Sequence, residues 1–231
     1  MPHIKEQTED RPIIFSGWSI RRILAGKKTQ TRRIVRPQPP SDVRSVMWDG
    51  MGGDWIGTVG SRNDPIRWNE KYPYGQRGDI LWVREAFRLH TANEDESPSK
   101  VIERHGQSTP RQYIADDTIL PSGVSGMLDW GRKRPSIFMP HELCRLRLRV
   151  EDVRVERLQA ITEADATAEG IPETLDVDAL DFEVAKHAVE DLERRVTPRL
   201  AFKALWQSIH GPDNWEDNPF VWCVSFSVIN N

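Results

Sequence analysis

The sequence predicts an α+β domain, compact or built on a partly closed barrel, and three patterns carry that expectation. Cys144, Leu146, Leu148 and Val150 alternate with Arg145, Arg147, Arg149 and Glu151, and Trp222, Val224 and Phe226 alternate near the C-terminus. That period of two marks strands with one buried face. Helical stripes are few, the clearest being Phe202, Leu205, Trp206 and Ile209 at i, i+3, i+4 and i+7. Turn-rich hairpins and crossovers separate the strands. The 231 residues suffice for one substantial core or two small ones. Neither a repeat nor an interdomain linker divides them, so residues 1–231 read as a single domain.

In chain order, residues 1–12 read as a loose arm and 12–15 as a first strand. Ser16 or Ser19 caps the following helix, which carries Ile20, Ile23 and Leu24 on one face and stops at Gly26. Residues 27–36 form an irregular strand halted by Pro37, Pro39 and Pro40. Residues 37–74 read as an ordered, loop-like insertion, because Trp48, Trp55 and Trp68 are costly to leave in water. A turn at 75–79 leads to the buried strand 80–83, ending at Arg84 and Glu85. Residues 88–110 read as polar and mobile, 111–116 as a short strand and 121–140 as loop. After a bulge, Val153 and Val155 extend the strand begun at Cys144. Thr162 then caps a short helix, with Asp165 in the capping-box position and Gly170 as terminator. Residues 172–198 are acidic and helical in part.

Hydrophobic residues make up 38% and charged residues 29%, an ordinary soluble balance. Cys144 and Cys223 lie in apolar alternating runs, as buried free thiols of a reducing compartment do. No Cys or His cluster has metal-site spacing, and phosphate-loop, dinucleotide and nucleophile-elbow motifs are missing. The expectation is therefore no metal and no cofactor. A polar start, MPHIKEQTED, and the lack of any long apolar run predict a cytoplasmic protein with no membrane partner. Nine tryptophans stand against three tyrosines. Packing accounts for most of them, Trp82 and Trp222 included, and base stacking is the alternative for one or two.

The net charge of −3 hides an asymmetry. Residues 21–36 hold seven basic side chains and no acidic one, whereas residues 151–195 hold fourteen acidic and five basic. Such a chain fits a local anion-binding patch on an otherwise acidic protein. Lys27, Lys28, Arg32 and Arg33 are the candidates to hold phosphates, with Thr29 and Thr31 adding hydroxyls; a solvated turn is the competing reading. Glu169 gains interest only if the fold brings it to Lys28, since a lysine–carboxylate pair beside a hydroxyl can polarise a nucleophile. Glu85, at the end of an apolar strand, either lines a cleft or pairs with Arg84 or a neighbouring arginine. His141 and His210 have no partner pattern.

Residues 11–17, 24–33, 75–85, 134–140, 158–170 and 218–226 together resemble the ASCH-domain family of the PUA-like superfamily, above all its long prophage-encoded members. The resemblance implies a PUA-like β-barrel core with flanking helices, long loop insertions at about 37–74, 88–140 and 171–198, and a cleft lined by the Gly-Lys-Lys-Thr segment. Relatives include RNA binders and recognisers of modified bases, and a small branch hydrolyses the amide of N4-acetylcytidine. By that resemblance Thr31 would be the nucleophile, Lys28 its activator and Glu169 the orienting carboxylate of an amidohydrolase. Binding of RNA, DNA or a modified nucleoside is the leading expectation, with Lys27, Lys28, Thr29, Arg32, Arg33 and Glu85 as contacts. The alternatives are that amidohydrolase, or a phage accessory protein binding a host protein through the acidic 171–198 region.

Overall fold

The computed structural model describes residues 8–48, 55–59, 64–68, 73–93, 95–120, 129–172 and 197–229. The first third holds β1 (Asp10–Ile14), α1 (Gly17–Leu24), β2 (Gln30–Ile34), β3 (Val43–Trp48), β4 (Trp55–Val59) and β5 (Asp64–Trp68). Then come β6 (Ile80–Arg84), β7 (Phe87–Leu89), α2 (Pro98–His105), β8 (Arg111–Tyr113) and β9 (Ile119–Leu120). The last part supplies β10 (Arg147–Arg157), α3 (Glu163–Ala168), α4 (Pro198–His210) and β11 (Phe220–Ile229). Ser16, not Ser19, caps α1 by accepting from the Ser19 amide. Thr162 and Asp165 complete a reciprocal capping box on α3.

Five strands form the main sheet in the order β1-β6-β10-β11-β2, with β1 parallel to β6 and the other neighbours antiparallel. The closed barrel expected from the family resemblance is not formed. β1 and β2 are the two edges of this sheet and share no ladder, so the architecture is α+β with open sheets. The edges are nevertheless drawn together, because Arg33 on β2 donates from Nη2 to the Ile14 carbonyl at 2.6 Å and lies over the Phe15 ring. A bulge between Val150 and Asp152 marks the kink that divides β10.

Residues 37–74 are also corrected: 43–68 contribute the strands of a separate antiparallel sheet, β3-β4-β5. Its composition of Gly, Asp and Trp hid a ladder whose hydrogen bonds need no strict alternation. The stretch 88–110 read as mobile and polar holds α2 and the end of β7, and β7 joins β8, within the short strand expected at 111–116, and β9 in a third sheet. There Phe87, Leu89, Val101, Tyr113, Met139 and Leu143 bury a core of their own.

The two faces of the main sheet have different covers. One face packs Leu81, Val83, Leu148, Val150, Val224 and Phe226 against Ile20 and Ile23 of α1. Cys223 and Val221 face the other way, toward Ala166 of α3 and Phe202 and Trp206 of α4. Truncating Phe202 or Trp206 to alanine would cost about 3–5 kcal/mol. Cys223 is buried and Cys144 partly so, both as free thiols. Among the described residues, no helix is long and apolar enough to cross a membrane.

Candidate functional site

The basic segment begins where α1 ends. Ala25 closes the helix and Gly26 follows at φ 69°, a left-handed conformation that suits glycine. This turn docks onto the end of α3: the Thr29 amide donates to the Ala168 carbonyl at 2.8 Å. Lys28 Nζ donates to both the Glu169 carbonyl and Glu169 Oε2, each at 2.7 Å. The sequence left open whether Glu169 reaches Lys28, and the fold brings the two together. Gly170 lets the chains approach, since its φ is 98° and an added Cβ would lie 3.2 Å from Lys28 Cβ and 3.3 Å from Arg22 Cβ.

Burial lowers the proton affinity of the Lys28 ammonium, and the charge and hydrogen bond of Glu169 oppose that shift. The ammonium also sits at the carbonyl end of α3, where a cation is favoured. Lys28 is thus a helix cap as much as an ion-pair partner.

Arg32 joins the same centre with a fully buried side chain. Its Nη1 lies 3.3 Å from Glu169 Oε1, and its Nη2 lies 2.6 Å from Glu156 Oε1 and 3.4 Å from Asp165 Oδ2. Phe202 lies beneath the guanidinium at 5.9 Å. Gln30 and Arg154 both reach Asp165 Oδ1, at 3.0 and 2.7 Å. Burial alone would raise the Glu156 carboxyl, but the Arg32 and Arg154 guanidinia hold it below its ordinary value. Asp165 is likewise depressed: its burial is outweighed by hydrogen bonds from Thr162 and the charges of Arg32 and Arg154. Every charge in this centre therefore has an opposite neighbour.

Thr31 lies apart from these groups. The register pairs Arg32 with Cys223 and Thr31 with Val224. Successive side chains on a strand point to opposite faces, so Thr31 shares the α1-covered face with Val224, while Arg32 shares the α4-covered face with Cys223. Thr31 is buried, and its hydroxyl has no hydrogen-bond partner among the described residues. Glu85 is elsewhere again and sealed. Arg145 Nε and Nη2 hold its two oxygens at 2.8 Å each. Arg145 also pairs with Asp116 and stacks 4.1 Å from the Tyr113 ring centroid. Burial raises the Glu85 carboxyl and Arg145 opposes the shift.

Lys27 and Thr29 are exposed, and Arg33 is half-buried. Arg22, Lys27, Arg33 and Arg36 form no ion pair among the described residues. Burial lowers the proton affinity of His210, at the end of α4, and the charges of Arg33 and Arg36 add to that shift. Sequence reasoning missed Gln30, Arg154, Glu156 and Asp165 as members of the buried centre. The signal for two of them was the period-two pair Arg154 and Glu156 on a strand whose intervening Val155 is apolar. No group of three or more His, Cys, Asp or Glu among the described residues is placed to hold a metal ion.

Comparison with family models, curated proteins and solved structures finds no match. The resemblance to ASCH-domain proteins is therefore not supported by any relative, and neither are the PUA-like, hydrolase and prophage assignments that came with it. The barrel among them is overturned by the open strand order.

Proposed function

We propose that this protein binds nucleic acid through the exposed cations of residues 21–36. The observation that carries the reading is the division of that run. Lys28 and Arg32 are neutralised internally by Glu169, Glu156 and Asp165. Arg22, Lys27, Arg33 and Arg36 remain without a carboxylate partner among the described residues. Half-buried Trp18, with the Arg22 guanidinium 5.6 Å from its ring, adds an aromatic edge to this surface. Arginine forks and a compact lysine charge suit phosphate oxygens, and such contacts position a polynucleotide without reading its bases.

The test is fluorescence anisotropy of labelled RNA and DNA oligonucleotides with the full chain at low salt. Binding that weakens linearly in log–log fashion with added salt is expected. Charge reversal in a Lys27→Glu, Arg36→Glu double variant should reduce it at least tenfold. Wild-type protein that binds neither RNA nor DNA at low salt sinks the reading.

A further inference from the structure

Resting on that reading, we infer that the outer face of β1, β6 and β10 extends the site and gives it a preference for single-stranded nucleic acid. The register sets three outward rows side by side. Pro12 and Ile14 on β1 stand beside Trp82 and Arg84 on β6, and Arg147 and Arg149 on β10 stand beside Trp82 and Ile80. The α1 helix covers the opposite face, so these side chains point away from the core.

The chain at 136–143 lies against one end of this face. Arg84 donates to the Ile137 carbonyl and lies 5.4 Å from the Trp82 ring centroid. His141 meets Trp82 edge-on at 5.2 Å. This segment leaves Ile137 and Phe138 each 59% exposed next to the strand face that carries half-buried Trp82 and Ile14, the latter 44% exposed. Three arginines, Arg84, Arg147 and Arg149, share the strand face with Trp82. Arg84 and Arg149 form no ion pair among the described residues, and Arg147 shares Asp10 with His141. Beyond Arg149 the row ends in Glu151, whose carboxylate is engaged by Ser227.

This face adjoins the proposed binding surface at the β1 edge, where Arg33 donates to the Ile14 carbonyl. Ile14 is in turn the register neighbour of Arg84. Guanidinium groups on a face that also offers an exposed ring match a strand that presents both phosphates and unstacked base faces. A duplex offers the phosphates alone, its base faces being stacked internally. A purely apolar protein surface would be served by Ile137 and Phe138 but would leave Arg84 and Arg149 without an anionic complement.

The experiment compares three probes on the full chain at one salt concentration: a short oligothymidine, the same backbone with abasic sites, and a duplex of equal length. Wild-type protein should bind the oligothymidine about tenfold more tightly than the abasic strand. Phe138→Ala should remove that advantage while leaving abasic binding unchanged. Phe138 is exposed, so the variant is expected to fold, and an unchanged Tm checks this. Equal wild-type affinity for all three probes overturns the inference, as does an unchanged oligothymidine affinity in Phe138→Ala. If in either case Lys27→Glu with Arg36→Glu still abolishes binding, the nucleic-acid reading stands without it. A Phe138→Ala variant weakened equally toward all three probes also overturns it, since that loss is not base stacking. Failure of wild-type protein to bind any probe removes both.

Discussion

Within residues 21–36, the buried and the exposed cations come from one uninterrupted basic run, yet they meet opposite surroundings. Lys28 and Arg32 are buried and paired with Glu169 at the end of α3, and Arg32 also with Asp165 of α3 and Glu156 of β10. Lys27 and Arg36 are exposed, Arg22 and Arg33 are half-buried, and none of the four has such a partner among the described residues. The difference separates two jobs that charge alone cannot distinguish. Buried cations hold α3 and its following turn to the sheet, and exposed Lys27 and Arg36 are left free to meet an anion.

Breaking the buried half should have the largest effect. Glu169→Ala strands the Lys28 ammonium and one side of Arg32 in the interior, at a cost of about 3–5 kcal/mol. Urea unfolding would show it as a lowered midpoint with little change in slope. Gly170→Ala should come next, about 1–3 kcal/mol, because it combines a left-handed backbone with a Cβ too near Lys28 and Arg22. Should that variant unfold at the wild-type midpoint, the close docking of the α3 turn on residues 22–28 would be wrong.

The exposed half should respond in the reverse manner. Lys27→Ala or Arg36→Ala should change stability by no more than about 0.5 kcal/mol. Each should also make the log–log salt dependence of nucleic-acid binding shallower, by about one for every phosphate left unneutralised. A stability loss comparable to that of Glu169→Ala would erase the distinction between the halves.

The smallest effect concerns acid. The folded state depresses the Glu156 carboxyl from its ordinary 4.5. Its stabilisation is therefore present above pH 4.5 and is lost as the pH falls through the lower folded value. The Tm difference between wild type and Glu156→Gln should accordingly be greatest near neutrality and narrow in acid. A pH-independent difference would assign the contribution of Glu156 to packing.

Local rules written in short stretches of sequence were legible. The Ser16 cap, the Thr162–Asp165 box and the alternation around Leu148 and Val224 each depend on residues within a few positions. Whatever depended on strand neighbours was not. Thr31 and Lys28 are three residues apart, but only the pairing of β2 with β11 reveals that Thr31 faces Val224. Glu85 and Arg145 are sixty positions apart, so the arginine that seals this carboxylate had no local signature. Trp82 has the sequence of a core residue and the position of an outer-face one. The acidic 171–198 stretch offered as a host-protein surface lies, but for its ends, outside the described residues.

Arg33 bears a consequence of its own. Where a continuous ladder would join two strands by a row of amide bonds, the edges β1 and β2 are linked by the Arg33 guanidinium, through its bond to the Ile14 carbonyl and its stacking on Phe15 just beyond β1. A contact of that kind is worth about 1–3 kcal/mol. The seam works as a clasp. It shields the ends of two edges from foreign strands, yet thermal motion can undo it without disturbing either neighbouring ladder.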